Sequence, residues 1–481
     1  MNYVFFFADE MRAEALGCYG NSYIETPNFD ALAEQGVLFE QCHVQHTVCS
    51  PSRCCLFTGR YPHNEGHRTL WNLVKPNEKN ILGYLREAGY DVRVYGKNDV
   101  FSPESVEAFS DEFMTCDNSL KTPNHPVKPF GERGCYNFLF APCDGGIEDI
   151  SDYKNLEKGI EFINSWKPGD KPFMVFLPLL YPHCPYTAPE PFYSMYLKKL
   201  DQIDIRPICD RKPCFHSLIR QYRDLDIADS KKIQAVYSGM VSYSDMLLGR
   251  LMDCLKQNGR EEDTMLIASS DHGDYAGDYG LVEKWPSGAE DVLTRVPLII
   301  RTPDCKSGHR VKEIVEMFDI MPTILETAGI TPKHQFFARS LVPQLQGAAG
   351  DPQRLAFCEG GYNPDEFQCS EGTDKPSVEW MKSPTNIYYP KYLQQKQAPE
   401  SIARDVMCRS LKYKYIRRNF GEHEFYDLQK DPRELHNLYR DPAYAEIQRE
   451  FELRILDWYI ATADAVPFEE DPRQTKNKIK Q

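Results

Sequence analysis

Met1-Asn2-Tyr3-Val4-Phe5-Phe6-Phe7-Ala8-Asp9-Glu10 decides the fold class: an unbroken apolar run of strand-forming residues ends in a carboxylate pair. A run apolar on every position reads as a strand buried on both faces, which is the strand type of parallel α/β sheets. Such sheets place ligands at the carboxyl ends of their strands, where Asp9 and Glu10 stand. Working outward, Thr26-Pro27 supplies an N-cap and a first-turn proline for a helix covering Phe29, Leu32 and Ala33, stopped by Gly36. The alternation continues with a helix over 81–88 and a strand over 92–95, a helix over 160–166 and a strand over 173–179. A long amphipathic helix over 231–257 feeds a strand over 265–268, and a further strand covers 296–300.

These elements predict an α/β fold with a mainly parallel central sheet flanked by helices. After about Arg354 the texture turns aromatic and charged, with β-type alternation over 411–416 and a helix over 444–460. The expected organisation is a catalytic domain over 1–353 and a small α+β subdomain over 354–481. The segment 185–230, rich in Pro, Tyr and mixed charge, reads as an insertion lying over the sheet edge.

Composition excludes several classes. The chain has 481 residues, 41% of them hydrophobic, enough for a sizeable core. A formal net charge of −15 gives no basic footprint for nucleic acid and favours a small anionic group over a long polyanion. No apolar run is long enough to span a membrane. The start lacks the basic region and apolar length of a signal peptide, and the sixteen cysteines are scattered, Cys54 and Cys55 adjacent. The expectation is a reduced, cytoplasmic setting, the alternative being an exported parent whose signal has been removed.

The second acidic cluster is Asp271-His272-Gly273-Asp274, directly after the strand ending at Ser270. Carboxylates from two distant segments, with one imidazole, suit a hard cation such as Ca²⁺, Mg²⁺ or Mn²⁺ better than structural zinc. Between them lies Cys49-Ser50-Pro51-Ser52-Arg53, with Thr58-Gly59-Arg60 following. A cysteine on the first turn of a helix, beside an arginine, sits in positive potential fit for a nucleophile aimed at an anion.

The C-x-P-S-R run with its following T-G resembles the signature of type I sulfatases, members of the alkaline phosphatase superfamily. That resemblance implies an alkaline-phosphatase-like fold and hydrolysis of a sulfate monoester, with phosphonate monoester or phosphodiester hydrolysis as the neighbouring activity and a non-enzymatic anion- or metal-binding homologue as the distant one. It implies that Cys49 is oxidised to formylglycine by a maturation enzyme and hydrated to a gem-diol, one hydroxyl attacking sulfur and the other later expelling sulfate. It assigns one divalent ion, Ca²⁺ foremost, to Asp9, Glu10, residue 49, Asp271 and His272. Glu10 stands where the family more often has Asp, so it either reaches the ion or supports its ligands.

By the same resemblance Arg53 holds the formylglycine, Lys97 and Lys284 contact the sulfate, and His183, in Pro182-His183-Cys184-Pro185-Tyr186, stands beside the leaving oxygen. Asp99 occupies the place of a frequent family histidine. His67 and Arg68, just beyond the signature helix, are candidate substrate contacts, with a solvated loop as the equal alternative. Phe425-Tyr426-Asp427-Leu428 with Asp431-Pro432 and Glu434 to Leu438 resembles the family's C-terminal motif. The implied partners are a small sulfated substrate and the maturation enzyme; the carrier alcohol, whether sugar, phenol or choline, and the oligomeric state stay open.

Overall fold

A computed structural model describes residues 1–116, 126–363, 366 and 376–468. Strand β1 (Asn2–Ala8) is wholly buried, and its period-two alternation divides the molecule. Tyr3, Phe5 and Phe7 enter one apolar core, while Val4, Phe6 and Ala8 enter the core on the opposite face. Burial of each such side chain contributes about 1.5–3 kcal/mol.

The remaining strands of the large sheet are β2 (Val37–His43), β3 (Asp91–Tyr95), β4 (Glu112–Met114), β5 (Phe173–Pro178), β6 (Thr264–Ser270), β7 (Arg295–Val296), β8 (Leu298–Arg301) and β9 (His309–Glu316). Their order is β4-β3-β5-β1-β6-β8-β2-β7, with β9 on β2. The block β4-β3-β5-β1-β6 is parallel throughout, whereas β8 runs antiparallel to both β6 and β2. Pro297, which has no N–H for the ladder, separates β7 from β8 within the apolar run expected as one strand.

Helices cover both faces. Residues Ser151–Ser165 form one, starting earlier than the apolar pattern at 160 indicates because its first half is amphipathic and buries Leu156. The long Ile227–Gln257 helix is capped by Asp226, whose side chain accepts from the Asp229 amide. Thr26, expected as an N-cap, instead accepts the Gly17 N–H at 2.8 Å.

A second, antiparallel sheet comprises β10 (Ala356–Gly360), β11 (Asp405–Arg409), β12 (Tyr413–Arg418) and β13 (Glu424–Asp427), with the Ala445–Thr462 helix packed on it. The 185–230 segment does not lie at the sheet edge. Tyr196 donates to or accepts from Ser242 at 2.7 Å on the long helix, and Arg206 pairs with Asp278 at 2.8 Å in the loop after the central strand β6. The Phe192 backbone also packs directly on that helix, where a Cβ at Gly239 would lie 2.1 Å from its carbonyl oxygen. Among the described residues no helix is long and apolar enough to cross a membrane, and no cysteine forms a disulfide.

Candidate active site

Four adjacent parallel strands deliver side chains to one point from their carboxyl ends. Ala8 is in register with Ser270 across the β1–β6 ladder, so Asp9 and Asp271 emerge side by side. On the other flank β5 leads into His183 and β3 into Lys97. Between Tyr95 and Lys97 only glycine fits: Gly96 has φ +144°, and a Cβ there would lie 2.1 Å from the Pro178 carbonyl oxygen. Lys97 N–H then donates to that carbonyl at 2.8 Å, aiming its side chain at the site.

Cys49 opens the Cys49–Thr58 helix, every residue of which is buried. Its Sγ lies 3.5 Å from Asp9 Oδ1 and 3.2 Å from His272 Nε2. His272 Nδ1 must carry the ring proton, since its partner at 2.8 Å is the Gly273 carbonyl; the Nε2 lone pair therefore faces Cys49. Ser52 Oγ donates to the Asp271 carbonyl at 2.6 Å, and Arg53 Nε donates to Asp271 Oδ2 at 2.8 Å while its guanidinium meets Asp9 Oδ2 at 3.2 Å. Arg53 thus braces two carboxylates from beneath.

The ligand-bearing atoms of Asp9, Cys49, Asp271 and His272 all lie within 4.8 Å of one another, and so do those of Asp9, Glu10, Cys49 and His183. Glu10, at φ +64°, keeps its carboxylate buried, where it pairs with Lys284 Nζ and approaches His183 Nε2 at 3.2 Å. Its buried Oε2 has no hydrogen-bond partner. Two hard carboxylates, a neutral imidazole lone pair and an orphaned carboxylate oxygen fit a divalent cation of the Ca²⁺, Mg²⁺ or Mn²⁺ type.

The cations ring this centre. Lys97 Nζ donates to Asp9 Oδ2 at 2.6 Å, pairs with Asp99 at 2.8 Å and stands 4.0 Å from Cys49 Sγ. Lys284 Nζ donates to His183 Nε2 at 3.0 Å, while His183 Nδ1 donates to the Cys184 carbonyl. Burial opposes ionisation of Asp9, yet Lys97 and Arg53 hold it well below the usual carboxylate range. Burial pushes Glu10 well above that range; Lys284 pulls it back and Asp274 pushes it further. Burial, then Lys284 and Lys97, keeps His183 neutral. Burial and the neighbouring Asp9 push the Cys49 thiol up, the reverse of the setting that makes a thiolate nucleophile.

Three sequence candidates lie outside this inner group. His67 is buried with Nδ1 on the Asn72 carbonyl at 2.8 Å and Nε2 on Glu78 at 2.9 Å, leaving no ring atom for a substrate. Arg68 is bound to Glu366 through both terminal nitrogens. Asp99 touches the site only through Lys97.

The fold also recruits residues to which the sequence assigned no role. Both Asp152 oxygens accept backbone N–H groups of Leu180 and Tyr181, at 2.8 and 2.7 Å, fixing the loop that carries His183. Tyr186 OH donates to Asp274 at 2.7 Å and accepts the Glu283 N–H at 2.9 Å, tying that loop to the one carrying Lys284. Tyr186 and Asp274 lie inside the quoted motifs, which was their only signal; Asp152 had none.

Comparison with known proteins gives the family. A family model described as "Sulfatase" matches residues 1–330, and one described as "N-sulphoglucosamine sulphohydrolase, C-terminal" matches residues 362–459. The chain is 26% identical over 509 residues to the multifunctional alkaline phosphatase superfamily protein PehA of Trinickia caryophylli, covering 94% of this chain and 92% of that protein. It is 26% identical over 512 residues to the iduronate 2-sulfatase of Homo sapiens, covering 92% and 91%. The crystal structure of the phosphonate monoester hydrolase of Agrobacterium radiobacter superposes with a TM-score of 0.75 at 21% identity, covering 98% of this chain and all of that one (100%).

Proposed function

The chain belongs to the sulfatase family, enzymes that hydrolyse sulfuric esters on an alkaline-phosphatase-like fold, and we propose that it cleaves a sulfate monoester at residue 49, releasing inorganic sulfate and an alcohol. The observation that carries this reading is the placement of Cys49 Sγ among metal-ligand atoms with the ammonium of Lys97 4.0 Å away. A sulfate monoester is anionic and repels nucleophiles, so its oxygens must be neutralised before attack.

Asp9, Asp271, His272 and the side chain of residue 49 would hold the ion, Ca²⁺ foremost, with Glu10 as a further oxygen donor. A bound divalent ion supplies Lewis-acid polarisation of the sulfate oxygens. Formylglycine at position 49 supplies, as its hydrate, one hydroxyl to attack sulfur and a second to expel sulfate and restore the aldehyde. Because Cys49 is 3% exposed within a buried helix, the maturation enzyme acts before this segment folds.

Lys97 and Lys284 bind the non-bridging oxygens. Lys97 is held as the ammonium well above its ordinary value: burial works against it, and Asp9 with Asp99 outweigh that. His183 presents a lone pair at Nε2 and takes its proton from the Lys284 side, so the proton for the departing alkoxide is held on the Lys284–His183 pair. Arg53 and Ser52 keep Asp271 in place beneath the sulfate.

A phosphonate monoester carries the same single negative charge on a tetrahedral centre, and this site admits it on charge alone. Rates on 4-nitrophenyl sulfate and on a 4-nitrophenyl phosphonate ester decide between them. Faster turnover of the sulfate is expected, and preference for the phosphonate would overturn the reading. Peptide mass spectrometry is expected to find the Cys49 segment about 18 Da lighter than the thiol form.

A further inference from the structure

We propose that Asp99 sets the charge class of the substrate: acting through Lys97, it makes the site favour singly charged tetrahedral anions over doubly charged ones, phosphate monoesters and the released sulfate among them. This rests on the reading of residue 49 and Lys97 given above and deepens it.

Lys97 and Asp99 stand on one built turn. Its start is fixed by the Lys97 N–H on the Pro178 carbonyl at 2.8 Å. Its end is fixed by Asn98, whose Oδ1 accepts the Phe101 N–H at 3.0 Å while its Nδ2 donates to the Phe101 carbonyl at 3.0 Å. The Val74 N–H donates to the Val100 carbonyl at 2.9 Å and ties the turn to the body of the fold. The Asp99 side chain has no part in this scaffold. It is half-buried, and among the described residues its one polar contact runs from Oδ2 to Lys97 Nζ at 2.8 Å.

An ammonium has three N–H groups to share. Around Lys97 Nζ stand Asp9 Oδ2 at 2.6 Å, Asp99 Oδ2 at 2.8 Å and Cys49 Sγ at 4.0 Å, so the side toward Sγ is the one presented to an anion at residue 49. Asp9 belongs to the ligand cluster, whereas Asp99 does not. A carboxylate one contact behind the anion's own counter-charge weakens the attraction for every anion, but not equally. The energy of an ion in a potential scales with its charge, so one fixed negative charge disfavours a dianion twice as strongly as a monoanion. A sulfate ester and a phosphonate monoester each carry a single negative charge; a phosphate monoester is close to a dianion near pH 8, its second pKa being about 6. Inorganic sulfate is a dianion as well. Asp99 therefore sorts esters by charge and eases the departure of sulfate, and it does not sort sulfate esters from phosphonates.

The test uses wild type, Asp99→Asn and Asp99→Glu near pH 8. Turnover is measured on 4-nitrophenyl sulfate, a 4-nitrophenyl phosphonate ester and 4-nitrophenyl phosphate, with competitive inhibition by inorganic sulfate and by methanesulfonate, a dianion and a monoanion that present the same sulfonyl oxygens. Ratios taken within one variant cancel differences in folded fraction and in formylglycine content. In Asp99→Asn inorganic sulfate should gain on methanesulfonate by about 5–10-fold, and 4-nitrophenyl phosphate should gain on the singly charged esters by a similar factor. Asp99→Glu restores the charge and should keep both ratios within about twofold of wild type. Unchanged or lowered ratios in Asp99→Asn, or an equal shift in Asp99→Glu, overturn the assignment. A wild type that prefers the phosphonate overturns the sulfate reading and leaves this one standing, since both esters are singly charged. If neither ester is turned over, the hydrolytic reading falls, and calorimetric titration with the two anions decides the role of Asp99 by the same ratio.

Discussion

Of the clusters of buried charge among the described residues, two make a direct comparison, and one of the two is built to react. Behind the active site Glu290, Asp291, Glu424 and Glu434 face Lys212, Lys414, Arg409 and Arg418. Every oxygen of those four carboxylates has a partner: Glu290 takes His216 and Tyr275 at 2.7 Å each, Glu434 takes Lys414 at 2.6 Å and the Asp291 N–H at 2.7 Å, Asp291 takes Arg409 at 2.9 Å and Lys414 at 2.6 Å, and Glu424 takes Tyr426 and Arg418 at 2.5 Å each. At the strand ends, by contrast, Asp9, Glu10 and Asp271 converge around Cys49 with one Glu10 oxygen unpartnered and the imidazole lone pair of His272 pointed inward. Buried charge alone therefore does not mark a site. Several ligand atoms from different strands gathered around one point do, whereas a single unpartnered atom such as Asp405 Oδ1 does not.

The sharpest way to break this comparison is at the nucleophile. Cys49→Ala and Cys49→Ser should each lower turnover of an aryl sulfate by at least about 10⁴-fold, with the melting temperature kept, because no other group takes over the attack. Wild-type-like initial rates in either variant would remove residue 49 from the chemistry.

The closed cluster should answer the opposite way. Glu290→Gln leaves Lys212 and His216 without their carboxylate and should cost about 3–5 kcal/mol of stability at pH 7, with kcat per folded molecule retained. The pH dependence has a definite sign. Burial opposes ionisation of Glu290 and Asp291, but Lys212 and Arg409 respectively, each first among several cations, hold both well below the usual carboxylate range. Groups with depressed folded values contribute stability that is full above the ordinary carboxylate range and is lost as pH falls through the depressed values. The deficit of Glu290→Gln should therefore shrink in denaturant titrations run below about pH 4.

The smallest effect is the cation's own. After chelation, Ca²⁺ at a hundredfold its dissociation constant should raise stability by about 2.7 kcal/mol in thermal unfolding. That shift should survive Glu290→Gln and vanish in Asp271→Asn; the reverse pattern would place the ion in the wrong cluster.

Legibility followed the range of the interactions. The strand 2–8 and the acid pairs after it could be read directly, because strand burial and carboxylate position are local properties. The resemblance of Cys49 to Arg53 to the family signature marked the helix whose whole length proves buried. The antiparallel run of β8 was not readable, since hydrophobic alternation carries no strand direction. Nor was the location of the 185–230 segment, which depends on what Tyr196 and Arg206 meet some 46 and 72 residues further along. In sequence His67 is a candidate substrate contact with a solvated loop as the equal alternative; in the fold Asn72 and Glu78 return onto its two ring nitrogens.

By itself, then, the amino-acid order determined which chemical groups exist and where each strand hands over to a polar end: Asp9 and Glu10, Lys97, His183, Asp271 and His272. The tertiary structure decided which of them share one point, which turn into closed ion pairs, and that Asp152 and Tyr186 brace the loop carrying His183. The physical reason is that register between β1 and β6 and the packing of the C-terminal helices onto the active-site loop are set by contacts hundreds of residues apart, and pairing of charges in a buried site depends on distances that no local pattern encodes.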